Sequence, residues 1–228
     1  MFRTRLSEVS ADQIQDVIAA RIPEGIDFEL KKTLPAEPGK IDGWMSGGKI
    51  GEKAKDELTT EIVAFANTTG GTLILGIDEE PGTKSAKSPI FPIPRCKEAA
   101  NVLHQSIAAR IEPRLPVFEC EGVVTEKDGM SGTIVMRVLE SYLAPHRNTA
   151  NNACYVRRND RAEPMSMVEI QDLTRRVARS NELNERAFAA SSNALFDWLP
   201  SHLRREHPYR GVQGARSETD EKRTYTGF

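Results

Sequence analysis

The spacing of apolar residues in the middle of the chain predicts a helix followed at once by a buried strand. Apolar side chains from Leu58 to Phe65 recur on one helical face, which predicts an amphipathic helix over residues 53–67. Two glycines begin at Gly70, and a glycine just past a helix can take the left-handed conformation that ends it. Residues 72–77 are nearly all apolar, a pattern typical of a strand that is covered on both faces.

Further helices and strands are predicted on both sides of this pair. Residues 26–31 alternate between apolar and charged side chains, which predicts a strand with one buried face and one polar face. Segments 33–51 and 81–94 are rich in proline and glycine and predict loops. The remaining patterns predict helices over residues 10–22, 97–110 and from Ser166, a hairpin of strands 117–124 and 133–139, a short strand at 154–158 followed by a turn, and a short helix over 187–199.

This order of elements predicts an α+β domain with a central mixed or antiparallel sheet flanked by helices. The alternation of helix and strand alone would also allow a doubly wound parallel sheet, but the hairpin favours antiparallel pairing. We expect the domain to occupy residues 1–180, and residues 181–228 to form a C-terminal helix and a polar tail. The tail begins near Arg204, where the sequence is polar and loses all periodicity.

Composition and charge limit the classes of function. The net charge of −2 gives no overall attraction to nucleic acid, so a nucleic-acid partner would need a local basic surface. No apolar run is long enough to cross a bilayer and the N-terminus lacks an apolar signal core, so we expect a cytoplasmic protein with no membrane partner. The three cysteines show no paired spacing, which argues for reduced thiols.

A small group of charged side chains could carry chemistry. Three carboxylates around one point repel each other unless protons or a cation neutralise them. Hard oxygen ligands favour Mg²⁺ or Mn²⁺, and a nearby lysine can stabilise charge on a phosphate, a combination suited to phosphodiester cleavage. The alternative is a solvated face of an edge strand together with an exposed turn acid. The residues in question are Glu24, Glu29, Lys31 and Asp78.

A run of arginines with interleaved tyrosines, between residues 137 and 161, suggests a nucleic-acid surface. Arginine gives bidentate phosphate contacts and tyrosine gives a stacking plane, which suits RNA or single strands. Within a strand, however, neighbouring arginines point to opposite faces, so one of Arg157 and Arg158 could be a surface charge or an ion-pair partner. His146 could also contact phosphate, and Trp44 is expected to be exposed or to pack onto a partner. The candidate phosphate-binding residues are Arg147, Arg157, Arg158 and Arg161.

Three segments of the chain resemble the Schlafen AlbA_2 family, also called the divergent AAA-4 domain. They are residues 24–31 (EGIDFELK), residues 61–78 (EIVAFANTTGGTLILGID) and a run from Pro145 to Ser166. The resemblance covers roughly residues 10–180, and its middle segment is the most specific part. It implies an α+β fold and nucleic-acid binding.

The same resemblance implies an activity and a site. Family members with nuclease activity use two glutamates and an aspartate in a metal-dependent site that cleaves tRNA and related RNAs. Matched by motif, these residues are Glu24, Glu29 and Asp78, with Lys31 beside them. We therefore expect an endoribonuclease that requires Mg²⁺ or Mn²⁺ and acts on RNA rather than DNA.

Two features of the family leave alternatives open. Animal Schlafen nucleases pair two such lobes in one chain, whereas one is present here, so a homodimer is expected. Many bacterial members are regarded as DNA-binding proteins or transcriptional regulators, so a non-catalytic DNA- or RNA-binding regulatory module is the main alternative. A further alternative is an assembly subunit whose segment from Ser180 docks a protein partner.

Overall fold

The central helix and the buried strand lie where the apolar pattern predicts them. In the computed structural model, which describes residues 5–198, helix α2 spans Glu52–Ala66 and strand β2 spans Gly70–Leu75. Leu58 and Phe65 of α2 are fully buried, as are the last three residues of β2. Both faces of β2 are therefore covered, as its unbroken apolar run predicts.

The described part of the chain contains α-helices and short strands, and in two places several strands follow one another without a helix between them. The helices are α1 (Ala11–Ala19), α2 (Glu52–Ala66), α3 (Cys96–Ala109) and α4 (Met167–Trp198). The strands are β1 (Phe28–Lys31), β2 (Gly70–Leu75), β3 (Ile77–Glu79), β4 (Ala86–Ile90), β5 (Ile111–Glu112), β6 (Phe118–Val124), β7 (Gly132–Leu139), β8 (Arg147–Asn148), β9 (Ala153–Arg158) and β10 (Arg161–Pro164).

The main sheet is mixed, in the strand order β1-β2-β7-β6. Strands β1 and β2 are parallel and α2 connects them, because parallel neighbours need a crossover rather than a tight turn. The pairs β2–β7 and β7–β6 are antiparallel, and β6–β7 is the predicted hairpin. Helices α2 and α3 share one hydrophobic core with this sheet, and α1 shares a second core with it. The α+β prediction with a central mixed sheet is confirmed.

A second sheet and a small hairpin complete the arrangement. The second sheet is antiparallel throughout, in the order β10-β9-β8-β5, and β3 pairs with β4. Asn67 attaches the second sheet to the end of α2. Its Nδ2 donates to the carbonyls of His146 and Tyr155, each at 2.9 Å, and its Oδ1 accepts the His146 N–H at 2.7 Å. Thr68 Oγ1 accepts the backbone N–H of Arg157 at 2.9 Å, so α2 sets the position of β9.

Several local predictions were wrong, for identifiable reasons. Strand β1 begins only at Phe28, and Ile26 is largely exposed. Strand β4 lies within the predicted loop 81–94, and β10 lies within the predicted turn after β9. Both are short strands with mostly exposed or half-buried residues, and backbone pairing with one neighbour holds them without an apolar pattern. Trp44 is buried, and its Nε1 donates to the Pro94 carbonyl at 2.7 Å.

The C-terminal part differs from the expected short helix at 187–199. Helix α4 begins after Ser166, as the sequence predicts, and continues unbroken to Trp198. The Ser166 backbone N–H donates to the Glu169 carboxylate, and the Ser166 hydroxyl accepts the Glu169 N–H. Val168, an apolar residue in the first turn of α4, is exposed. The chain divides into two compact units, Met1–Ala178 and Arg179–Phe228. The predicted polar tail from Arg204 lies outside the described residues.

Within residues 5–198, no helix combines the length and the apolar character that crossing a membrane would require.

Candidate functional site

An open cavity of about 480 Å³ lies beside β1, between the turn of the β3–β4 hairpin and the turn of the β9–β10 hairpin. It brings together the four side chains that the sequence singles out for chemistry, although they come from distant parts of the chain. We call it the acidic cavity. The charged residues in its described lining are Glu24, Glu29, Glu61, Asp78, Glu79 and Asp160, together with Lys31, Lys32, Lys84 and Arg161.

Glu29 and Lys31 project from the same face of β1 because alternate residues of a strand share a face. That face is covered rather than solvated, and Glu29 is only 7% exposed. Glu29 Oε1 accepts a hydrogen bond from Lys31 Nζ at 3.1 Å, and Glu29 Oε2 accepts one from Arg157 Nη2 at 2.9 Å. The alternative of a solvated strand face is therefore wrong for Glu29.

Glu61 of α2 closes these contacts into a ring. Its Oε1 lies 3.4 Å from Lys31 Nζ, and its Oε2 accepts a hydrogen bond from Arg157 Nη1 at 2.6 Å. Two carboxylates and two cations thus alternate, and we call Glu29, Lys31, Glu61 and Arg157 the four-charge ring. Burial alone would lower the pKa of Lys31, but Glu61 and Glu29 outweigh it and raise that pKa above its ordinary value. Lys31 therefore carries its full charge at neutral pH.

Glu24 lies at the buried end of the cavity, with its side chain 5% exposed. Its Oε1 accepts the backbone N–H of Leu30 at 2.9 Å, and its Oε2 lies 3.9 Å from Lys84 Nζ. The pKa of Glu24 is raised to about 7, chiefly by burial. The hydrogen bond from Leu30 lowers this pKa in part, and the neighbouring carboxylates of Glu29 and Glu79 add to the rise. Glu24 thus holds a proton more readily than an ordinary glutamate does.

Asp78 lies in β3, where the bend after β2 brings it to the cavity. Its Oδ2 lies 2.9 Å from Lys32 Nζ, and Lys32 in turn lies over the ring of Phe91. Its Oδ1 accepts the backbone N–H of Glu79 at 3.1 Å. Within the described part of the chain, Glu79 Oε2 is buried and has no hydrogen-bond partner. Asp78 therefore has the cation of Lys32 beside it, whereas one carboxylate oxygen of Glu79 has no hydrogen-bond partner among the described residues.

The acidic cavity supplies carboxylate oxygens, the kind of ligand that a hard divalent cation prefers. Either a proton or a metal ion can neutralise carboxylates that lie close together, and the raised pKa of Glu24 reflects such crowding in part. The Glu79 oxygen without a hydrogen-bond partner belongs to the same cavity. In residues 5–198 as they stand, no three His, Cys, Asp or Glu side chains are grouped closely enough to hold a metal ion.

The four candidate arginines do not form one surface. Arg161 lines the acidic cavity and is exposed. Arg147 pairs with Glu112 at 2.6 Å, and Arg158 pairs with Glu163 at 2.7 Å and with Glu169, so both are exposed but ion-paired. The side chain of Arg157 is 0% exposed. A buried guanidinium held by two carboxylates is not free to contact a phosphate backbone, so the expected contact role of Arg157 is corrected to a role inside the ring.

Two further predictions about single residues are resolved. His146 is fully buried, its Nδ1 lies 2.6 Å from the Pro113 carbonyl, and burial lowers its pKa. It therefore packs within the second sheet and does not face a ligand. Arg95 lies over the ring of Trp44 at 3.9 Å, so the segment 33–51 is held onto the start of α3.

Sequence reasoning missed Glu61, Glu79, Lys84 and Asp160. A signal for Glu61 was present, because it stands three residues after Leu58 and directly before Ile62, on the apolar face of α2. A charged residue on the buried face of a helix requires a buried partner of opposite charge. Lys84 and Asp160 pair across the two hairpin turns. They lie 76 residues apart in the chain, and no local sequence pattern predicts such a contact.

The family model described as Schlafen, AlbA_2 matches residues 11–166. Among solved structures, the crystal structure of the DIP2311 protein from Corynebacterium diphtheriae matches with 21% sequence identity and a TM-score of 0.44. The match covers 72% of this chain and 28% of that one, so this chain spans less than a third of that protein's length. No curated protein matches the chain.

Proposed function

Because the chain belongs to the Schlafen AlbA_2 family, and this membership suggests nucleic-acid binding, we propose that it is a divalent-metal-dependent endoribonuclease that acts on tRNA-like or other structured RNA. The observation that carries the proposal is the acidic cavity, where Glu24, Glu29 and Asp78 line one opening beside Lys31. Acids from three separate segments meet there despite their mutual repulsion. Such a cluster lowers folding stability unless protons or cations neutralise it, and clusters of this kind are typical of functional sites.

In this proposal Glu24, Glu29 and Asp78 hold Mg²⁺ or Mn²⁺. When bound, the metal supplies a Lewis acid that polarises a phosphoryl oxygen and activates water. Lys31 points its ammonium group toward the cavity and stabilises negative charge on the phosphate. The ring contacts keep Lys31 protonated and fix its position.

Arg161 is the proposed contact to the RNA backbone at the rim of the cavity. It is exposed, and the structure records no ion pair for it within the described residues. Arg147 and Arg158 add exposed guanidinium groups outside the cavity, each of which would exchange a surface carboxylate for a phosphate. Exposed ion pairs of this kind contribute little to stability, so replacing the carboxylate by a phosphate costs little free energy. RNA binding is therefore expected to weaken with rising salt.

The direct test is cleavage of tRNA and of single-stranded DNA with Mn²⁺ or with a chelator. We expect the parent to cleave tRNA only with metal. Glu29→Gln and Asp78→Asn are expected to lower cleavage by roughly two orders of magnitude while retaining RNA binding. Glu98→Gln, an exposed acid at the start of α3, serves as the control and should cleave as the parent does. Equal cleavage by the parent and the cavity variants would overturn the proposal.

A non-catalytic DNA- or RNA-binding regulatory module is the second candidate. The observation that favours it is that Asp78 already has Lys32 beside it, and Glu29 already has Lys31 and Arg157. Acids neutralised in this way need no metal. The same assay separates the two functions, because a binding module retains RNA without cleaving it in either condition.

We further propose that the chain works as a homodimer in the cytoplasm, since a single lobe presents one cavity to a large RNA. The continuation of α4 beyond Ala178 exposes Leu183 and Phe188, which makes it the proposed site for a protein partner. Light scattering of the full chain at several concentrations measures the oligomer. A monomer at all concentrations would contradict the dimer.

A further inference from the structure

We infer that Arg157 and Glu61 are positioning residues that hold Glu29 and Lys31 in place for the cleavage proposed above, on which this inference rests. Neither residue is among the proposed metal ligands, and neither is the lysine proposed to stabilise the phosphate. Both act through the four-charge ring, which joins β1, α2 and β9. The inference assigns a role to a buried arginine whose sequence pattern suggested a nucleic-acid contact.

The contacts fix both oxygens of Glu29. Oε1 accepts from Lys31 at 3.1 Å and Oε2 accepts from Arg157 at 2.9 Å, so the carboxylate cannot rotate without breaking a charged hydrogen bond. Lys31 is fixed in turn, because it lies between Glu29 at 3.1 Å and Glu61 at 3.4 Å. Each carboxylate of the ring touches both cations, which gives the ring one closed arrangement.

Arg157 is itself held from several directions, so it serves as a rigid anchor. Its Nη2 also donates to the Gly25 carbonyl at 2.9 Å, next to Glu24 in the chain. Its guanidinium lies over the ring of Phe65 at 4.6 Å, and its backbone N–H donates to Thr68. The anchor therefore ties the segment that carries two of the proposed metal ligands to the buried helix α2.

The geometry requires an arginine and not merely a positive charge. The guanidinium donates at once to Glu29, to Glu61 and to the Gly25 carbonyl, in three directions within one plane. A lysine ammonium on a flexible stem cannot reach all three acceptors together. Arg157→Lys thus keeps the charge of the ring and removes its geometry. Residues that orient metal ligands in this way typically affect metal affinity or activity by about 10- to 100-fold.

The test compares Arg157→Lys, Arg157→Met and Glu61→Gln with a matched control. The control is Arg137→Lys, which alters another strand arginine that donates to a glutamate, Glu119, at 2.8 Å outside the cavity. Thermal melting first identifies the folded variants, and Arg157→Lys is included because it keeps the buried charge. Two readouts follow for each variant, kcat and KM for RNA cleavage and the dissociation constant for Mn²⁺ by calorimetry without RNA.

We expect Arg157→Lys to lower kcat and to weaken Mn²⁺ binding by about 10- to 100-fold, with KM within about twofold of the parent. Glu61→Gln should act in the same direction, and Arg137→Lys should match the parent in both readouts. A folded Arg157→Lys with parental kcat and Mn²⁺ affinity overturns the inference and leaves the proposed function standing. A change in KM alone also overturns it, because Arg157 would then contact RNA. A parent that neither cleaves RNA nor binds Mn²⁺ overturns the proposed function, and the positioning role with it.

Discussion

Glu24 is a buried acid of the cavity that has other carboxylates close to it. Its side chain is 5% exposed, it receives a hydrogen bond from Leu30, and two further carboxylates lie close to it. Its pKa of about 7 means that a proton is only half lost at neutral pH. A metal ion that replaces this proton therefore binds more weakly as the pH falls below 7.

The raised pKa of Glu24 predicts a pH dependence of stability. The folded-state pKa lies above the ordinary value of 4.5, so the stability that the protonated group provides is complete below about pH 4.5 and is lost as the pH rises through 7. Glu24→Gln cannot ionise and still accepts the Leu30 hydrogen bond. With chelator present, we expect the unfolding free energy of the parent to fall relative to this variant by about 1–3 kcal/mol between pH 5 and pH 8.

Urea denaturation of both proteins across this pH range measures the difference. The subtraction removes the contributions of other titrating groups, which the two proteins share. Parallel stability profiles for the parent and Glu24→Gln would show that the carboxyl of Glu24 is not held in a buried, acid-rich position.

The residues of the site differ in how far the sequence could predict them. Glu29 and Lys31 were predicted to share a strand face, and they do. The alternation also shows that Arg157 and Arg158 lie on opposite faces, but it cannot say which face is buried. Arg157 is the buried one, and it pairs with Glu29, which lies 128 residues earlier in the chain. Long-range ion pairs are decided by the tertiary fold and leave no local pattern.

At the scale of elements, the packing of α3 on β6 depends on a residue without a side chain. A Cβ at Gly122 would lie 2.5 Å from the backbone of Cys96 and Lys97, at the start of α3. Backbone atoms of a helix cannot move aside as the end of a flexible side chain can. Gly122 therefore sets how closely the helix approaches the sheet.

Gly122→Ala is expected to destabilise the fold by about 2–3 kcal/mol, because α3 must shift away from β6 and lose core contacts. Gly25→Ala is the matched control, since a Cβ there meets nothing within 4 Å and should change stability by less than about 0.5 kcal/mol. Chemical denaturation measures both variants. Similar stabilities would mean that the contact at Gly122 is not tight.

Elements with a strong apolar period could be predicted, and polar edge elements could not. The helices α2 and α3 and the β6–β7 hairpin follow their apolar spacing closely. Strand β4 has three exposed residues out of five, and β10 consists of half-buried and exposed residues. Backbone pairing alone defines such strands. The turns of these two hairpins nevertheless line the acidic cavity. The part of the site that they form could therefore not be predicted from the apolar pattern.

At the scale of the whole molecule, the chain order explains how the cavity is assembled. The parallel pair β1–β2 places Glu61 of the connecting helix over the face of β1 that carries Glu29. At the end of β2, Gly76 takes a φ of +99° and its N–H donates to the Lys31 carbonyl at 2.8 Å. The bend there turns the chain into β3 and carries Asp78 to the same opening. The segment 61–78, the most specific part of the family resemblance, therefore supplies Glu61 and Asp78 to the cavity.

Calorimetric titration of Mn²⁺ into the full chain decides whether the acidic cavity is a metal site. We predict one carboxylate-dependent site per chain, lost in Glu24→Gln and in Asp78→Asn and retained in Glu98→Gln. A parent that binds no Mn²⁺, or cavity variants that bind it as tightly as the parent does, would show that these acids do not form a metal site.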